Sequence, residues 1–426
     1  MGALLAERKS RMSTKQKVMP WAVAVAWGIM ACAAVEVCLL NGSQFYRTVA
    51  DDLGFAVSQL GLLMTFYSIT LVIASPIAGR LFERYDSRIV LSGMGLIVFA
   101  GFAGMSFYTQ VWMWWVSGIL FAIGGAGLFI IGAPIFINNW FHKRAGFAMG
   151  LYGIVIAALG LVVAQVIPFV IVAVGWRTAY LVMAAIAAAF FFPCAIFLSP
   201  YKPEDVGLKP YGYEEDDAGE GKEKKSTPGI PYKKAVLSIS FVLAIIAFSI
   251  MCNMNGYKSN WSNMAQHATW DYGIIFGGTM MFATTMAKFF SPLLGLISDK
   301  WGAIATGGLT LGLIAIGMLL LLFFHDVQAV VPIACFLVGF ETCNMKVVIP
   351  LIIRDIYGSK DYTRIYSFAF GIFNVFSLFS VSLVALAGEV TGSFNIAFIV
   401  GAIGAVAAFL LILLSKKASK GVAWEE

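Results

Sequence analysis

Ser75-Pro76-Ile77-Ala78-Gly79, followed by the acid Glu83 and the base Arg84, returns later in the chain as Ser291-Pro292-Leu293-Leu294-Gly295 with Asp299 and Lys300. The two serines and the two acids are each separated by 216 residues, about half of the 426-residue chain. Both copies end a long apolar run. A motif repeated in register indicates a duplicated bundle, and membrane proteins built from paired repeats place their sites between the halves.

Composition places the chain in the membrane. Hydrophobic residues make up 60% of the chain and charged residues only 12%, whereas a soluble domain has roughly 25% charged residues. We count twelve apolar runs of about 20 residues, the length needed to cross a hydrocarbon core about 30 Å thick. The sequence therefore predicts an all-α integral membrane protein surrounded by lipid.

The twelve runs fall into two sets of six. The predicted spans are 21–40, 57–78, 89–107, 111–137, 145–174 and 179–198, then 235–254, 272–297, 303–324, 329–353, 365–387 and 396–414. A polar stretch rich in Lys, Glu, Asp, Gly and Pro separates the sets and is typical of a linker. The predicted organisation is an amino-terminal arm (1–19), a six-helix bundle (20–198), a linker (199–234), a second bundle (235–415) and a tail (416–426).

Lys and Arg are distributed unevenly between the two sides of these spans. Of 29, we place 24 in the arm, linker, tail and loops of one side, three (Arg47, Arg177 and Lys258) on the other, and Lys288 and Lys346 inside spans. Basic residues accumulate on the cytoplasmic side, so the termini and linker are predicted to be cytoplasmic and the protein to lie in the inner (plasma) membrane. The basic arm leads into a full-length span, so no cleavable signal peptide is expected. This topology accounts for the net charge of +6, and no nucleic-acid partner is expected.

Cysteines and histidines give no sign of catalytic or metal chemistry. The six cysteines fall within predicted spans without metal-ligand spacing, and the three histidines have no acid or nucleophile at catalytic spacing. There is no G-x-x-x-x-G-K-[ST] loop for a nucleotide. We therefore predict no enzyme activity, no metal and no cofactor.

Several loops resemble those of the major facilitator superfamily. GRLFERYDSR (79–88) resembles the loop between the second and third helices, and Gly295, Asp299, Lys300 and Gly302 are similar to its second copy. NWFHKRAGFAMG (139–150) resembles a signature of monocarboxylate porters and oxalate/formate antiporters, and residues 51–54 and 354–358 are similar to stretches in that group. The resemblance spans the chain and implies a monomeric transporter of twelve helices in two pseudo-symmetric six-helix bundles.

The resemblance also implies a cytoplasmic latch. In the family, the acid and arginines of the repeated loop tie helix ends together, and a glycine allows the helices to approach closely. Carried onto this chain, the gating residues are Gly79, Glu83, Arg84, Arg88, Gly295 and Asp299, with Arg144 of the second signature. The alternative is that these charges only hold the loops in water. The first copy departs from the family pattern, because Glu83 replaces the commoner Asp and Asp86 stands in place of Gly.

Four ionisable residues fall inside the predicted spans: Glu36, Lys288, Glu341 and Lys346. Such a group costs at least about 2.5–3.5 kcal/mol to insert, so it normally faces a cavity or a partner. Counted at about 1.5 Å per residue, Lys288 and Lys346 lie roughly 16 and 12 Å from the cytoplasmic ends, near the membrane middle. The same count places Glu341 and Glu36 in the outer half.

Helical spacing groups other polar residues with the lysines. Lys288 shares a face with Thr284, Thr285 and Ser291, a polar stripe that we expect to line a cavity. Thr342 lies on the face of Lys346, and the resemblance implies that both point into the cavity. Glu341 is about 140° away from Lys346 around the helix. We therefore expect Glu341 to be a structural partner for a neighbouring helix.

The chain departs from the resembled branches at their charged positions. Ser291 stands where both place an arginine before the proline of the eighth helix, so Lys288, one turn earlier, is the base here. The antiporters' second cation aligns with Phe373, and Lys346 replaces that charge from the tenth helix. The porters' acid aligns with Ala287, and their lysine on the first helix has no equivalent. Glu36 is the only titratable group on that span.

These observations predict a transporter that moves a small organic anion, a mono- or dicarboxylate, by alternating access with proton symport or exchange of a counter-anion. Lys288 and Lys346 form the predicted anion site, with neutral contacts from Ser291, Thr342, Thr284, Asn374 and Tyr152. Glu36 and Glu341 are the predicted proton-coupling acids, because burial disfavours the charged form of a carboxyl group.

Three alternatives stay open at this point. Lys288 and Glu341 form a structural ion pair; or the protein exports amphipathic or cationic compounds, with Glu36 and Glu341 as the binding charges. The third alternative, a membrane sensor or scaffold, is disfavoured because the linker is too polar to form a folded domain.

Overall fold

A computed structural model describes residues 14–128, 132–141, 144–212, 229–358 and 360–421. Within these ranges the side chains at 14–17, 76, 83, 134, 138, 145, 146 and 363 are not described. The described chain is helical apart from turns and two isolated bridges, Phe141 with Tyr211 and Gly229 with Gly358. Much of the predicted arm, the middle of the linker, and His142 and Lys143 lie outside the described residues.

The first half contains six helical segments, which we number first to sixth. The helix Thr14–Ala31 continues through Cys32–Leu40, a π-helix, and Asn41–Phe45, a 3₁₀ turn, into Tyr46–Leu53. The following helices are Val57–Arg84, Ser87–Gly104, Val111–Ala126 with Gly132–Trp140, and Ala145–Phe197. The last helix is broken at Gly175, where φ is 76°. A residue without a Cβ adopts this angle readily, so the fifth segment ends there and the sixth begins.

The second half repeats this arrangement as the seventh to twelfth segments. They are Ile239–Asn253 with Asn255–Ser259 and Trp261–Ala265; Gly273–Met286 with Ala287–Phe290 and Ser291–Trp301; Ala303–Phe324; Val330–Val338 with Phe340–Cys343, Asn344–Val348 and Ile349–Tyr357; Tyr362–Phe376 with Ser380–Thr391; and Asn395–Ser419.

The segments are long and apolar enough to cross a membrane. Ten helical runs among the described residues meet this requirement, one of which, Phe147–Phe197, is divided at Gly175. Val111–Ala126 is a shorter apolar helix. The prediction of an all-α membrane fold of twelve segments is confirmed.

Two separate hydrophobic cores correspond to the two sets of segments. One contains buried side chains from Val23 to Ala195, with Val381 and Ala385 from the eleventh segment. The other runs from Ile230 to Ile412 and includes Ala164 from the fifth segment. Each half therefore packs around its own core. The exact predicted boundaries, including the linker at 199–234, stay a prediction.

Two of the helix irregularities coincide with prolines. Proline lacks the N–H that would bond the carbonyl four residues earlier. Lys288 lies four residues before Pro292, and the helix tightens to 3₁₀ geometry over Ala287–Phe290. Lys346 lies four residues before Pro350, in the π-helical stretch Asn344–Val348. Both lysines therefore lie where regular α-helical bonding is interrupted.

We call the side of the molecule that carries the ends of the described chain the terminal side, and the other the opposite side. At the opposite side the halves are joined by hydrogen bonds. The Ser58 amide and hydroxyl donate to the Glu389 carboxylate at 2.8 and 2.6 Å. Ser262 Oγ donates to the Gln44 carbonyl at 3.2 Å. The opposite side is therefore closed.

Glycine also brings the halves together. A Cβ on Gly278 of the eighth segment would lie 2.8 Å from the Ala164 carbonyl oxygen and 2.7 Å from Pro168 of the fifth. A Cβ on Gly61 of the second segment would lie 3.0 Å from Ser382 Oγ of the eleventh. These two helix pairs form close contacts between the halves.

The repeated loop motif does not make the contacts that we expected. A Cβ on Gly79 or Gly295 would meet no atom within 4 Å, so neither glycine is required for close helix approach. Arg84, Asp299 and Arg144 are exposed. Together with the half-buried Arg88, they make no side-chain ion pair with a described residue. The side chain of Glu83 lies outside the described residues.

Candidate functional site

Glu36 occupies the centre of the π-helix in the first segment and is only 3% exposed. Asn41 Nδ2 donates to the Glu36 backbone oxygen at 3.0 Å and to its Oε2 at 3.4 Å. Gly160 of the fifth segment lies against the carboxylate, where an added Cβ would be 3.3 Å from Glu36 Cδ. The carboxylate is thus enclosed by protein groups from two segments of the first half.

Lys288 of the eighth segment completes this enclosure from the second half. Its Nζ donates to Glu36 Oε1 at 2.7 Å, and the two side chains are 9% and 4% exposed. This buried ion pair joins the two halves. It corrects two expectations: Lys288 is not a free cation, and its partner is Glu36 rather than Glu341.

Lys346 of the tenth segment differs from Lys288, because its side chain is exposed and its ammonium group has no partner among the described residues. It lies deep in the protein, where the charges of Lys288, Glu36 and Lys258 act on it, yet it is exposed. No hydrogen bond or ion pair joins its ammonium group to any described residue. The ammonium group of Lys346 is therefore accessible and, within the described ranges, unpaired, whereas that of Lys288 is buried and paired.

Lys258 is a further buried charge, which we did not expect from the sequence. We placed it in an outer loop, but the seventh segment extends to Ser259 and Lys258 is only 5% exposed. The charges of Lys288, Glu341 and Glu36 act on it. Among the described residues none pairs with its ammonium group. Little in the sequence signals this burial, since Asn255–Ser259 is polar, although no proline interrupts the helix there.

Glu341 of the tenth segment contacts none of these lysines within ion-pair distance. It is 4% exposed, and its Oε2 accepts a hydrogen bond from Thr342 Oγ1 at 3.1 Å. The charges of Lys258, Lys288 and Lys346 act on it. The amide of Asn344, one turn further, is also buried and has no hydrogen-bond partner among the described side chains and backbone.

We call Glu36, Lys258, Lys288, Glu341 and Lys346 the central charge cluster. Three ammonium groups face two carboxylates, so the cluster carries one excess positive charge when all five are ionised. Only Glu36 and Lys288 are in direct contact. Such an arrangement attracts an anion, because like charges in a low-dielectric interior repel strongly unless a counter-charge lies between them.

Three of the predicted neutral contacts bond other protein groups in this structure. Thr284 is 1% exposed; it accepts from Trp261 Nε1 at 2.8 Å and donates to the Met280 carbonyl. Thr284 is therefore a packing residue, which corrects the expected polar stripe. Ser291 Oγ lies 3.3 Å from Cys343 Sγ, and Asn374 donates to the Phe370 carbonyl of its own helix.

Two other predicted contacts stay close to the charges. Thr342 bonds Glu341, as described above. Tyr152 of the fifth segment is half-buried, and the Glu36 charge acts on its phenol. These two hydroxyl groups are the neutral candidates nearest to the cluster.

Two apolar grooves lie elsewhere. One is lined by the seventh and eleventh segments and the other by the second, third and fourth, each with a volume of about 600 Å³. Neither is lined by a member of the central charge cluster. Within the described ranges, no group of three His, Cys, Asp or Glu is placed to hold a metal ion.

Comparison with known proteins places the chain in a family. The model of the Major Facilitator Superfamily matches residues 22–345. The oxalate:formate antiporter of Oxalobacter formigenes is 23% identical over 410 residues, covering 90% of each chain. A probable sulfoacetate transporter of Cupriavidus necator is 25% identical over 204 residues, 46% of each chain.

A solved structure shows the same fold. The bacterial homologue of the human lysosomal transporter Spinster, in an inward-facing and occupied conformation, superposes with a TM-score of 0.63 at 11% identity. The match covers 96% of this chain and 97% of that one. At this identity the likeness concerns the fold alone.

Proposed function

Because the chain belongs to the Major Facilitator Superfamily and is a membrane transporter, we propose that it moves a small organic anion by alternating access of its two halves. The observation that carries this proposal is the excess of ammonium groups in the central charge cluster. The cluster lies between the halves, where paired-repeat transporters bind their substrates.

Charge decides between an anion and a cation. Glu36 is already paired with Lys288, and the remaining acid, Glu341, stands against Lys258 and Lys346. A bound cation would add a fourth positive charge, whereas a carboxylate would relieve the repulsion among the lysines. Lys suits this role, because its compact ammonium group needs no bidentate geometry.

The names of two relatives agree with an anionic substrate. Oxalate, formate and sulfoacetate, which those names contain, are all small organic anions. Their identity to this chain is below 30%, so they support the chemical class and leave the particular acid open.

Alternating access has a visible starting point in this structure. The hydrogen bonds of Ser58 and Gln44 close the opposite side, so we assign the opening toward Lys346 to the terminal side. We propose that the terminal side is cytoplasmic and the membrane is the inner (plasma) membrane, because the basic residues gather on that side. This conformation would then face inward.

Coupling is proposed to run through the Glu36–Lys288 pair. It joins the halves, so their separation around the site must break it or carry it along. A proton on Glu36, or an anion on Lys288, would each remove the attraction between the two side chains. Proton symport and anion exchange are thus two ways of releasing the same contact.

The proposal is tested by uptake of labelled formate, acetate, oxalate and succinate into proteoliposomes. We expect Lys346→Ala to lower uptake at least tenfold, because the accessible ammonium group is lost, and Lys417→Ala on the exposed tail to leave it unchanged. Equal uptake by Lys346→Ala would contradict the site. Transport of lipophilic cations in place of acids would favour the alternative, an exporter of amphipathic or cationic compounds.

A further inference from the structure

We propose that Lys258 binds the substrate and that, with Lys346, it selects anions carrying two negative groups. The inference rests on the proposed function. It adds Lys258 as a binding residue and dianions as the substrate class. Lys258 is not part of the anion site expected from the sequence. It enters only because the structure buries it beside the other charges.

The state of the Lys258 side chain is the first support. An ammonium group in a protein interior is normally paired or hydrogen-bonded, since burying an isolated charge is costly. Lys258 is 5% exposed and, in the part of the chain that the structure describes, has neither kind of partner.

The position of Lys258 along its segment is the second support. It lies in the short helix Asn255–Ser259, one turn before Ser262, which bonds Gln44 across the closed opposite side. Lys346 lies in the tenth segment, eleven residues from its end at Tyr357. Lys258 therefore lies toward the opposite side of the molecule, and the more exposed Lys346 lies nearer the terminal side.

Two unpaired ammonium groups at separate places favour a substrate with two anionic ends. The Glu36–Lys288 pair is already neutral in sum. When Glu341, the predicted proton-coupling acid, is protonated, the cluster carries two excess positive charges, which a dicarboxylate balances and a monocarboxylate does not. Each charge-assisted hydrogen bond is about twice as strong as a neutral one, so the second contact discriminates between the two classes.

A structural role is the competing explanation. The charges of Lys258 and Glu341 act on each other, although the two side chains form no ion pair. If these two residues only balance each other across a gap, removing Lys258 would destabilise the protein and would not change the preference among substrates. Neutralising both residues would then restore stability.

The experiment compares wild-type protein with Lys258→Gln and Lys258→Arg in proteoliposomes. The probes are formate and acetate as monoanions, and oxalate, malonate and succinate as dianions. We expect Lys258→Gln to weaken the apparent affinity for dianions at least tenfold and to change that for monoanions less than threefold. Lys258→Arg, which keeps the charge, should retain the preference for dianions. Lys417→Gln is the matched control.

Several outcomes would overturn the inference. One is that Lys258→Gln lowers the apparent affinity for monoanions and dianions equally. Another is that it changes the affinity for neither class. If Lys258→Gln is too unstable to assay, the Lys258→Gln/Glu341→Gln double variant replaces it, and restored stability with an unaltered substrate preference also contradicts the inference. A wild-type protein that moves none of these acids would instead overturn the proposed function.

Discussion

At the scale of single residues, the decisive finding is how the central charges are divided between paired and unpaired groups. Glu36 and Lys288 form one buried contact at 2.7 Å, whereas Lys258 and Lys346 have none among the described residues. Removing one partner of a buried pair strands the other charge and costs about 3–5 kcal/mol, while replacing both by neutral groups is often close to neutral. The pair and the free lysines should therefore respond differently to substitution.

The first residue-scale prediction concerns the pair. Glu36→Gln and Lys288→Met should each lower the melting temperature by several degrees, because each strands a charge. The Glu36→Gln/Lys288→Met double variant should lose less than either single change. Thermal unfolding of the purified proteins in detergent measures this cycle. Additive losses in the double variant would show that the two groups do not interact.

The sequence predicted the identity of most of these charges and misjudged their partners. The count that placed Glu36 in the outer half assumed regular α-helix. The structure instead brings Glu36, at the centre of the π-helix Cys32–Leu40, into contact with Lys288, which the same count placed near the membrane middle. Lys258 was missed because Asn255, Gly256 and Ser259 are typical of a loop, while tertiary packing keeps them helical and buried or half-buried. Periodicity detects apolar faces well, but it cannot show which polar stretch the opposing half will cover.

At the scale of helices, close packing between the halves depends on glycine, which has no side chain to keep the backbones apart. Gly278 brings the eighth segment against Ala164 and Pro168 of the fifth at distances that leave no room for a Cβ. Small residues at membrane helix interfaces let backbones approach, and van der Waals packing there replaces the hydrophobic effect. The fifth segment also carries Gly160, which covers the Glu36 carboxylate. One helix face therefore supports both the contact between halves and the central pair.

A glycine comparison tests this packing. Gly278→Leu should reduce uptake at least tenfold, because the side chain forces the fifth and eighth segments apart. Gly312→Leu in the ninth segment is the matched control, since a Cβ there meets no atom within 4 Å. Labelled-acid uptake at equal protein incorporation gives the readout. Equal activity of the two variants would exclude close packing at Gly278 as a requirement.

At the scale of the whole molecule, two cores are joined by contacts that close the opposite side. The repeat at an offset of 216 residues predicted the duplicated bundles, and the two hydrophobic cores agree with it. The repeated loop charges on the terminal side form no ion pair with described residues in this conformation. The closure at Ser58 and Glu389 could not be predicted, because neither residue belongs to a motif.

The closure can be weakened at Glu389. Its carboxylate accepts both the amide and the hydroxyl of Ser58 at the start of the second segment, where the helix dipole favours a negative charge. Exposed contacts of this kind contribute about 0.2–1 kcal/mol, so Glu389→Ala should raise the open fraction by about 1.4- to fivefold. Thr48 of the first half donates to Gln266 Oε1 of the second half at 3.4 Å, so the labelling rate of a Thr48→Cys reporter by an impermeant maleimide, compared with and without Glu389→Ala, measures this opening.

Glu204→Ala, an exposed acid outside the helix bundles, serves as the control for that labelling. A rate unchanged in Glu389→Ala would mean that the contact does not hold the opposite side shut.

In the mechanism proposed above, the anion binds where two helices are interrupted, because Lys288 and Lys346 each lie four residues ahead of a proline. A proline weakens the local backbone ladder, so its helix bends most easily there. A ligand bound to either ammonium group therefore acts on its helix close to the position where that helix bends most easily. In each of these two helices, anion binding and helix bending would involve the same turn.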